Sequence, residues 1–224
     1  IATAADEFTM ESLVADDEVA VTITHTGYVK RTQIDAIRAQ RRGGKGKSGM
    51  LTRDEDAVSM VFNATNHQSL LCFSSTGRVF EIKVYQLPEL PLRSRGKHFA
   101  SLVKLAEGEK IVSVLPVKEF TEGHYIVSVT ANGYVKKTDL MAYSNIKSSG
   151  IIALKLDTGD TLVTCAITDG KNELLIATRM GKAIRFSEEE CRPMGRASRG
   201  VTGIRFSGSD EADGEAEATM SPAD

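Results

Sequence analysis

Four cations lie within seven residues at Arg41, Arg42, Lys45 and Lys47, with Gly43, Gly44 and Gly46 between them. Glycines remove side-chain bulk, so backbone N–H groups can close on a phosphate while the cations flank it. Gln40 adds an amide that can make one more phosphate contact. Weaker versions follow along the chain: Arg93, Arg95 and Lys97; Lys147 with Ser148 and Ser149; Arg192, Arg196 and Arg199. Few side chains around these clusters suit the reading of base edges. The chemistry they offer is therefore contact with a polyanion's backbone, governed by shape rather than by base sequence. The run Gly43 to Ser48 is no P-loop, because that motif needs a glycine where Arg41 stands.

No other constellation competes. His25, His67, His98 and His124 lie far apart, without ligand spacing, which places them on surfaces or loops. Three cysteines are too few and too scattered for a disulfide framework or zinc knuckle, and fit a reducing cytosol. Cys72 and Cys165 sit in apolar strands and read as core thiols, whereas Cys191, beside a basic loop, is expected to be the more reactive. No nucleophile with a recurring base emerges, so an independent enzyme is the least favoured class. No apolar run reaches the roughly 18 residues of a membrane span.

The formal charge of −2 conceals its distribution. Residues 1–18 and 208–224 each hold six acids and no Lys or Arg. The section 19–207 carries all 28 bases against 18 acids, a formal +10. A polyanion-binding body and an ordinary solvated surface are both open on charge alone. Five acids within residues 210–217 suggest a tail that folds back on the basic surface and competes with a polyanion; a plain solubilising tail is the alternative.

The elements that position the clusters form a repeat. Four segments align without gaps around Gly27, Gly77, Gly133 and Gly181: Val19 to Arg31, Ser69 to Glu81, Tyr125 to Lys137 and Glu173 to Arg185. The spacings of 50, 56 and 48 residues mark a propeller or solenoid. Each segment predicts a strand, a short turn and a second strand, with the glycine where the turn needs positive φ. Three residues before it stands a hydroxyl (Thr24, Ser74, Thr130, Thr178), read as stabilising the turn. A second glycine follows at Gly46, Gly96, Gly150 and Gly200, preceded by Lys45, Arg95, Ser149 and Arg199. Next come an apolar stretch, an acidic or Gly-rich turn (Asp54-Glu55-Asp56, Glu107-Gly108-Glu109, Thr158-Gly159-Asp160) and another apolar strand. Each repeat thus holds about four strands, one propeller blade, and helix is nearly absent. The fourth repeat breaks off after Gly208, and Glu211 to Asp224 should be disordered.

The loop Gln-Arg-Arg-Gly-Gly-Lys-Gly, Gln40 to Gly46, resembles the gyrase box of the C-terminal DNA-wrapping domain of gyrase A, in the type IIA topoisomerase family. Its flanks, Thr24 to Arg31 and Ser48 to Asp56, and the segment Arg192 to Arg205 are similar to that domain as well, so that the resemblance covers most of residues 10–207. It implies a β-pinwheel, a propeller-like disc with strand exchange between blades. The expected architecture is all-β, about four four-stranded blades near 19–56, 57–109, 110–160 and 161–207, forming an open arc or part of a larger ring. Residues 1–18 would be a linker from a preceding domain, in keeping with a chain that opens on Ile1 rather than Met, and 208–224 a disordered acidic tail.

By the same resemblance the DNA contacts are Gln40, Arg41, Arg42, Gly43, Gly44, Lys45, Gly46, Lys47, Arg93, Arg95, Lys97, Lys147, Arg192, Arg196 and Arg199. The implied role is non-catalytic: chiral wrapping of double-stranded DNA in support of ATP-dependent negative supercoiling. The implied partners are the remainder of gyrase A, together with gyrase B, in an A2B2 complex of the bacterial cytoplasm. No cofactor belongs to this chain, with ATP and Mg serving elsewhere in the holoenzyme. The cleavage tyrosine of these enzymes follows an arginine, and none of Tyr28, Tyr85, Tyr125, Tyr134 and Tyr143 does. The alternatives are the corresponding domain of topoisomerase IV, which bends DNA, and a protein-interaction propeller. Neutralising six to eight phosphates would give a log K against log salt slope of about −5 to −7, which separates the last from the other two.

Overall fold

The computed structural model describes residues 10–34, 49–50, 52, 56–179, 181–206 and 216–217. The box Gln40 to Lys47 lies outside the described residues, as does the tail apart from 216–217. Fifteen strands and a few single 3-10 turns make up the regular structure among the described residues, and none of its helices is long and apolar enough to cross a membrane.

The chain folds as two compact units, Ile1–Ser69 with Ile82–Leu102, and Leu70–Glu81 with Val103–Asp224. The first unit holds one four-stranded antiparallel sheet. Its centre is the hairpin β1 (Glu18–Thr24) and β2 (Tyr28–Gln33); β3 (Val58–Thr65) flanks β1, and the two-residue β6 (Lys97–His98) flanks β2. Val19, Val21, Ile23 and Val29 form its buried apolar positions.

The second unit repeats the pattern. Apart from Ser69, Ile82 and Lys83 at the strand ends, it contains the hairpin β4 (Ser69–Ser74) and β5 (Arg78–Lys83), flanked by β7 (Ile111–Val117) and β10 (Ile151–Ile152). It also contains β8 (Tyr125–Thr130) and β9 (Tyr134–Asp139), flanked by β11 (Leu162–Thr168) and β14 (Val201–Thr202). One apolar cluster gathers Leu71, Phe73, Val79, Ile126, Leu140, Tyr143 and Leu162; a second gathers Val127, Val129, Val135, Leu174, Ile176 and Ile204. Burying such side chains at roughly 25 cal/mol per Å² is what holds short sheets of this kind together.

The hairpin prediction holds at all four places. Thr24, Ser74, Thr130 and Thr178 each accept a hydrogen bond from the N–H four residues on, of Tyr28, Arg78, Tyr134 and Lys182, at 3.1, 3.2, 3.3 and 3.1 Å. The glycine between them has φ near +80°, and at Gly77 an added Cβ would stand 2.5 Å from the carbonyl oxygen of Leu154.

Strand exchange of the kind the β-pinwheel resemblance implies is present: the sheets draw strands from neighbouring repeats. β3, which falls in the span 57–109, pairs with β1 from Glu18↔Thr65 to Thr24↔Val58, and β6, β10 and β14 each cross back to complete the sheet of the preceding hairpin. The acidic turns cause the first shift. Asp56 accepts from the N–H and hydroxyl of Thr26 at 3.1 and 2.6 Å, pinning the start of β3 beside the end of β1. The fourth sheet contains β13 (Ala183–Ser187), β12 (Glu173–Thr178) and β15 (Ala216–Glu217) among the described residues. The two residues of β15 pair with Ala177 and Thr178. They take the place beside β12 that β3, β7 and β11 take beside their hairpins, where backbone groups would otherwise lack partners.

Candidate nucleic-acid interface

The basic loops end at the second glycines, and the fold dictates glycine there. Gly96 and Gly200 have φ of +86° and +108°, and a Cβ would stand 2.6 Å from the carbonyl oxygen of Val29 and 2.5 Å from that of Val135. The loop backbone therefore lies directly on β2 or β9 before entering β6 or β14. This contact brings the residue before the glycine over the first residue of the neighbouring hairpin's second strand.

The result is a recurring arginine-on-aromatic pair. The Arg95 guanidinium carbon lies 6.0 Å from the centre of the Tyr28 ring, and that of Arg199 lies 4.4 Å from Tyr134. In the intervening repeat the loop has Ser149, and the arginine comes from the hairpin instead. Arg78 occupies the position of Tyr28 and Tyr134, stacks 4.6 Å over Phe80 and donates to the Ser149 carbonyl oxygen. Sequence reasoning missed Arg78; its signal was a base at the hairpin position that holds tyrosine in the first and third repeats and Lys182 in the fourth. Stacking leaves a guanidinium's edge N–H groups able to reach further partners, the geometry that phosphate contact uses; at Arg78 they go to Glu109 and to the Ser149 carbonyl oxygen.

Of the other predicted contacts, Arg93, Lys97, Lys147 and Arg192 are exposed. Arg196 is half-buried and donates to the Ile152 carbonyl oxygen at 3.2 Å. Arg199 forms an exposed ion pair with Asp157 at 2.8 Å, which holds it yet more firmly protonated; a pair this exposed is weak and exchangeable. Gln40, Arg41, Arg42, Gly43, Gly44, Lys45, Gly46 and Lys47 lie outside the described residues.

Beneath two of the loops lie lysines that sequence reasoning passed over. Lys30 is fully buried, and its ammonium donates to the carbonyl oxygens of Pro91, Leu92 and Ser94 at 2.9, 2.6 and 3.1 Å. Lys136, 1% exposed, donates to Ala153, Gly195 and Arg196. Burial lowers both from the ordinary lysine value, Lys136 to about 8. Each stands three residues after its hairpin glycine. The next residues, Arg31 and Lys137, also turn inward, to the carbonyl oxygens of Leu87 and Glu188 at 3.1 and 2.8 Å.

The acids at the turns are structural. Burial would raise the Glu109 carboxyl, but hydrogen bonds from the Ala106 N–H and the Ser74 and Thr76 hydroxyls, with the charge of Arg78 at 3.0 Å, hold it below the usual range. Asp160 accepts from the N–H of Asn132 and of Thr161 through Oδ1, while its buried Oδ2 has no partner. Cys72 and Cys165 are buried as expected. Cys191 is buried too, and burial pushes its thiol up despite Lys137, so its expected reactivity is corrected. Among the described residues no group of His, Cys, Asp and Glu could hold a metal ion.

Repeated hairpins with exchanged fourth strands and loop arginines define a β-pinwheel. The chain belongs to the family described as DNA gyrase C-terminal domain, beta-propeller, whose pattern matches residues 18–62, 68–118, 124–169 and 172–212. It is 42% identical over 205 residues to the gyrase A protein of Salmonella typhimurium, covering 92% of this chain and 23% of that protein. It is 41% identical over 206 residues to that of Haloquadratum walsbyi, covering 90% and 24%. The chain thus spans about a quarter of the length of these relatives. Among solved structures, the C-terminal domain of a DNA topoisomerase IV superposes with a TM-score of 0.77 at 29% identity, over 93% of this chain and 63% of that one. A DNA gyrase A C-terminal domain superposes at 0.66 and 22% identity, over 86% and 62%, a likeness of fold.

Proposed function

We propose that the chain binds duplex DNA through its second-glycine loops and wraps it with a fixed handedness, as the non-catalytic C-terminal domain of a gyrase A protein. The observation that carries this is the stacked arginine at the second-glycine loop: Arg95 on Tyr28, Arg199 on Tyr134, and Arg78 on Phe80 in the repeat whose loop has Ser149 there. A stacked cation recurring at these junctions, from the loop in two and from the hairpin in one, is expected of a surface that serves a regularly spaced anion. Phosphates supply that, and the loops present guanidinium edges and backbone N–H groups rather than a base-reading element. The box residues Arg41, Arg42 and Lys45 extend the same chemistry. In this reading the strand cleavage, ATP and Mg belong to the rest of gyrase A and to gyrase B, in an A2B2 enzyme of the bacterial cytoplasm.

A second reading has its own support. The likeness to a topoisomerase IV domain at 29% identity favours bending without chiral wrapping. One assay separates the two. Nicked circular DNA is ligated with increasing amounts of the chain, deproteinised and resolved into topoisomers. A positive linking-number shift, lost when Arg41, Arg42 and Lys45 become Ala and reduced by Arg95→Ala, is the expected result. DNA binding without a shift points to bending, and no DNA binding at low salt overturns both readings.

A further inference from the structure

We propose that Lys30 and Lys136 are positioning residues of the DNA contact: each holds a basic loop by its carbonyl oxygens and places beneath it an uncompensated charge that DNA phosphate neutralises. The proposal rests on the reading of the loops as phosphate contacts.

Three observations carry it. First, among the described residues the hydrogen-bond partners of both ammonium groups are backbone carbonyl oxygens of the loops or their flanks: Pro91, Leu92 and Ser94 for Lys30, Ala153, Gly195 and Arg196 for Lys136. A buried lysine is ordinarily paired with a carboxylate, and carbonyl dipoles satisfy its donors without cancelling its charge. Second, the groups that face Lys136 from the packed elements leave that charge uncancelled. They are Cys165 from β11, Tyr143, whose hydroxyl shares the Ala153 carbonyl oxygen, and Arg196 from the loop, itself a cation; Arg199, next in sequence to Gly200, where an added Cβ would stand 3.1 Å from the Lys136 Cβ, is already paired with Asp157.

Third, the lysine goes with the cationic loops and not with the fold. The corresponding position in the second hairpin is Phe80, and the loop it meets, Lys147-Ser148-Ser149-Gly150, carries one base where the others carry two or three. That loop packs and continues into β10 without an ammonium beneath it. A device needed only for folding would serve all three loops alike.

Phosphate closing over the loop must favour the charged form of Lys136. Its free value near 8 makes this visible as proton uptake on binding. The test is calorimetric titration of the chain, its α-amino group acetylated, with linear duplex DNA in buffers of different ionisation enthalpy. At pH 8 about half a proton is expected to be taken up at Lys136, and almost none at pH 6. Lys136→Met is expected to abolish the uptake and to weaken binding about tenfold at pH 6, while Lys171→Met, at an exposed base away from the loops, leaves both uptake and affinity unchanged. Lys30→Met is expected to weaken binding similarly. Binding by the unmodified chain without uptake at pH 8 overturns the proposal without recourse to any variant that fails to fold. So does a folded Lys136→Met chain with unchanged affinity and pH profile. Absence of DNA binding by the unmodified chain instead overturns the DNA reading itself.

Discussion

Arg78 donates to the carbonyl oxygen of Ser149, the residue that replaces the loop arginine in its repeat. In this repeat the cation at the junction comes from the hairpin, over Phe80, instead of from the loop. Arg78→Ala is expected to weaken DNA binding about fivefold, and also to release Glu109 from its ion pair at 3.0 Å. The exchange Arg78→Tyr with Ser149→Arg, which rebuilds the pairing of Tyr134 with Arg199, is expected to restore affinity. A filter-binding titration at two salt concentrations measures both. Failure of the exchange to restore binding would show that a loop arginine cannot stand in for Arg78.

Asp160 and Asn132 show a pairing that is one hydroxyl short. Thr26 and Thr76 give their hydroxyls to Asp56 and Glu109, each at 2.6 Å, whereas Asn132 offers Asp160 only its backbone N–H and leaves Oδ2 without a partner. Asn132→Thr is expected to stabilise the second unit by about 1 kcal/mol, the net worth of one added hydrogen bond. Thermal unfolding followed by circular dichroism tests it, and a lower midpoint would count against the arrangement.

Acid should loosen the outer strands. Glu109 and Asp56 are held below their ordinary values of 4.5 and 3.8. Depressed carboxyls contribute stability that is fully present above the ordinary value and is lost as pH falls through the native one. Stability is therefore expected to fall from about pH 4.5 downward. Glu109→Gln should flatten that limb while costing stability at neutral pH. Urea unfolding midpoints from neutral pH down to about pH 3 decide it.

Two positive-φ glycines should respond differently to alanine. At Gly200 the new methyl meets the Val135 carbonyl oxygen at 2.5 Å, in addition to backbone strain; at Gly159, φ +84°, nothing lies within 4 Å. Gly159→Ala is expected to cost about 1 kcal/mol and Gly200→Ala at least about 3, with loss of DNA binding. Equal costs would show that strand exchange does not press β14's loop onto β9.

The hairpins were legible because their determinants are local. A hydroxyl that bonds the N–H four residues on, and a glycine that must take positive φ, act within one turn and recur at all four repeats. The loop arginines were legible for the same reason, as a base fixed one residue before a glycine. What the sequence by itself determined is thus the strands, the turns and the set of cationic loops. Only the tertiary structure decided which strand completes which sheet, because β6 reaches back to β2 across more than sixty residues through backbone groups that carry no side-chain signature. Only it separated Lys30 and Lys136 from the surface lysines, since a long apolar stem with a charged tip suits either place until three carbonyl oxygens from a distant loop converge on it. The role of Arg78 likewise depended on contact, because the residue it stands in for lies seventy-one positions away.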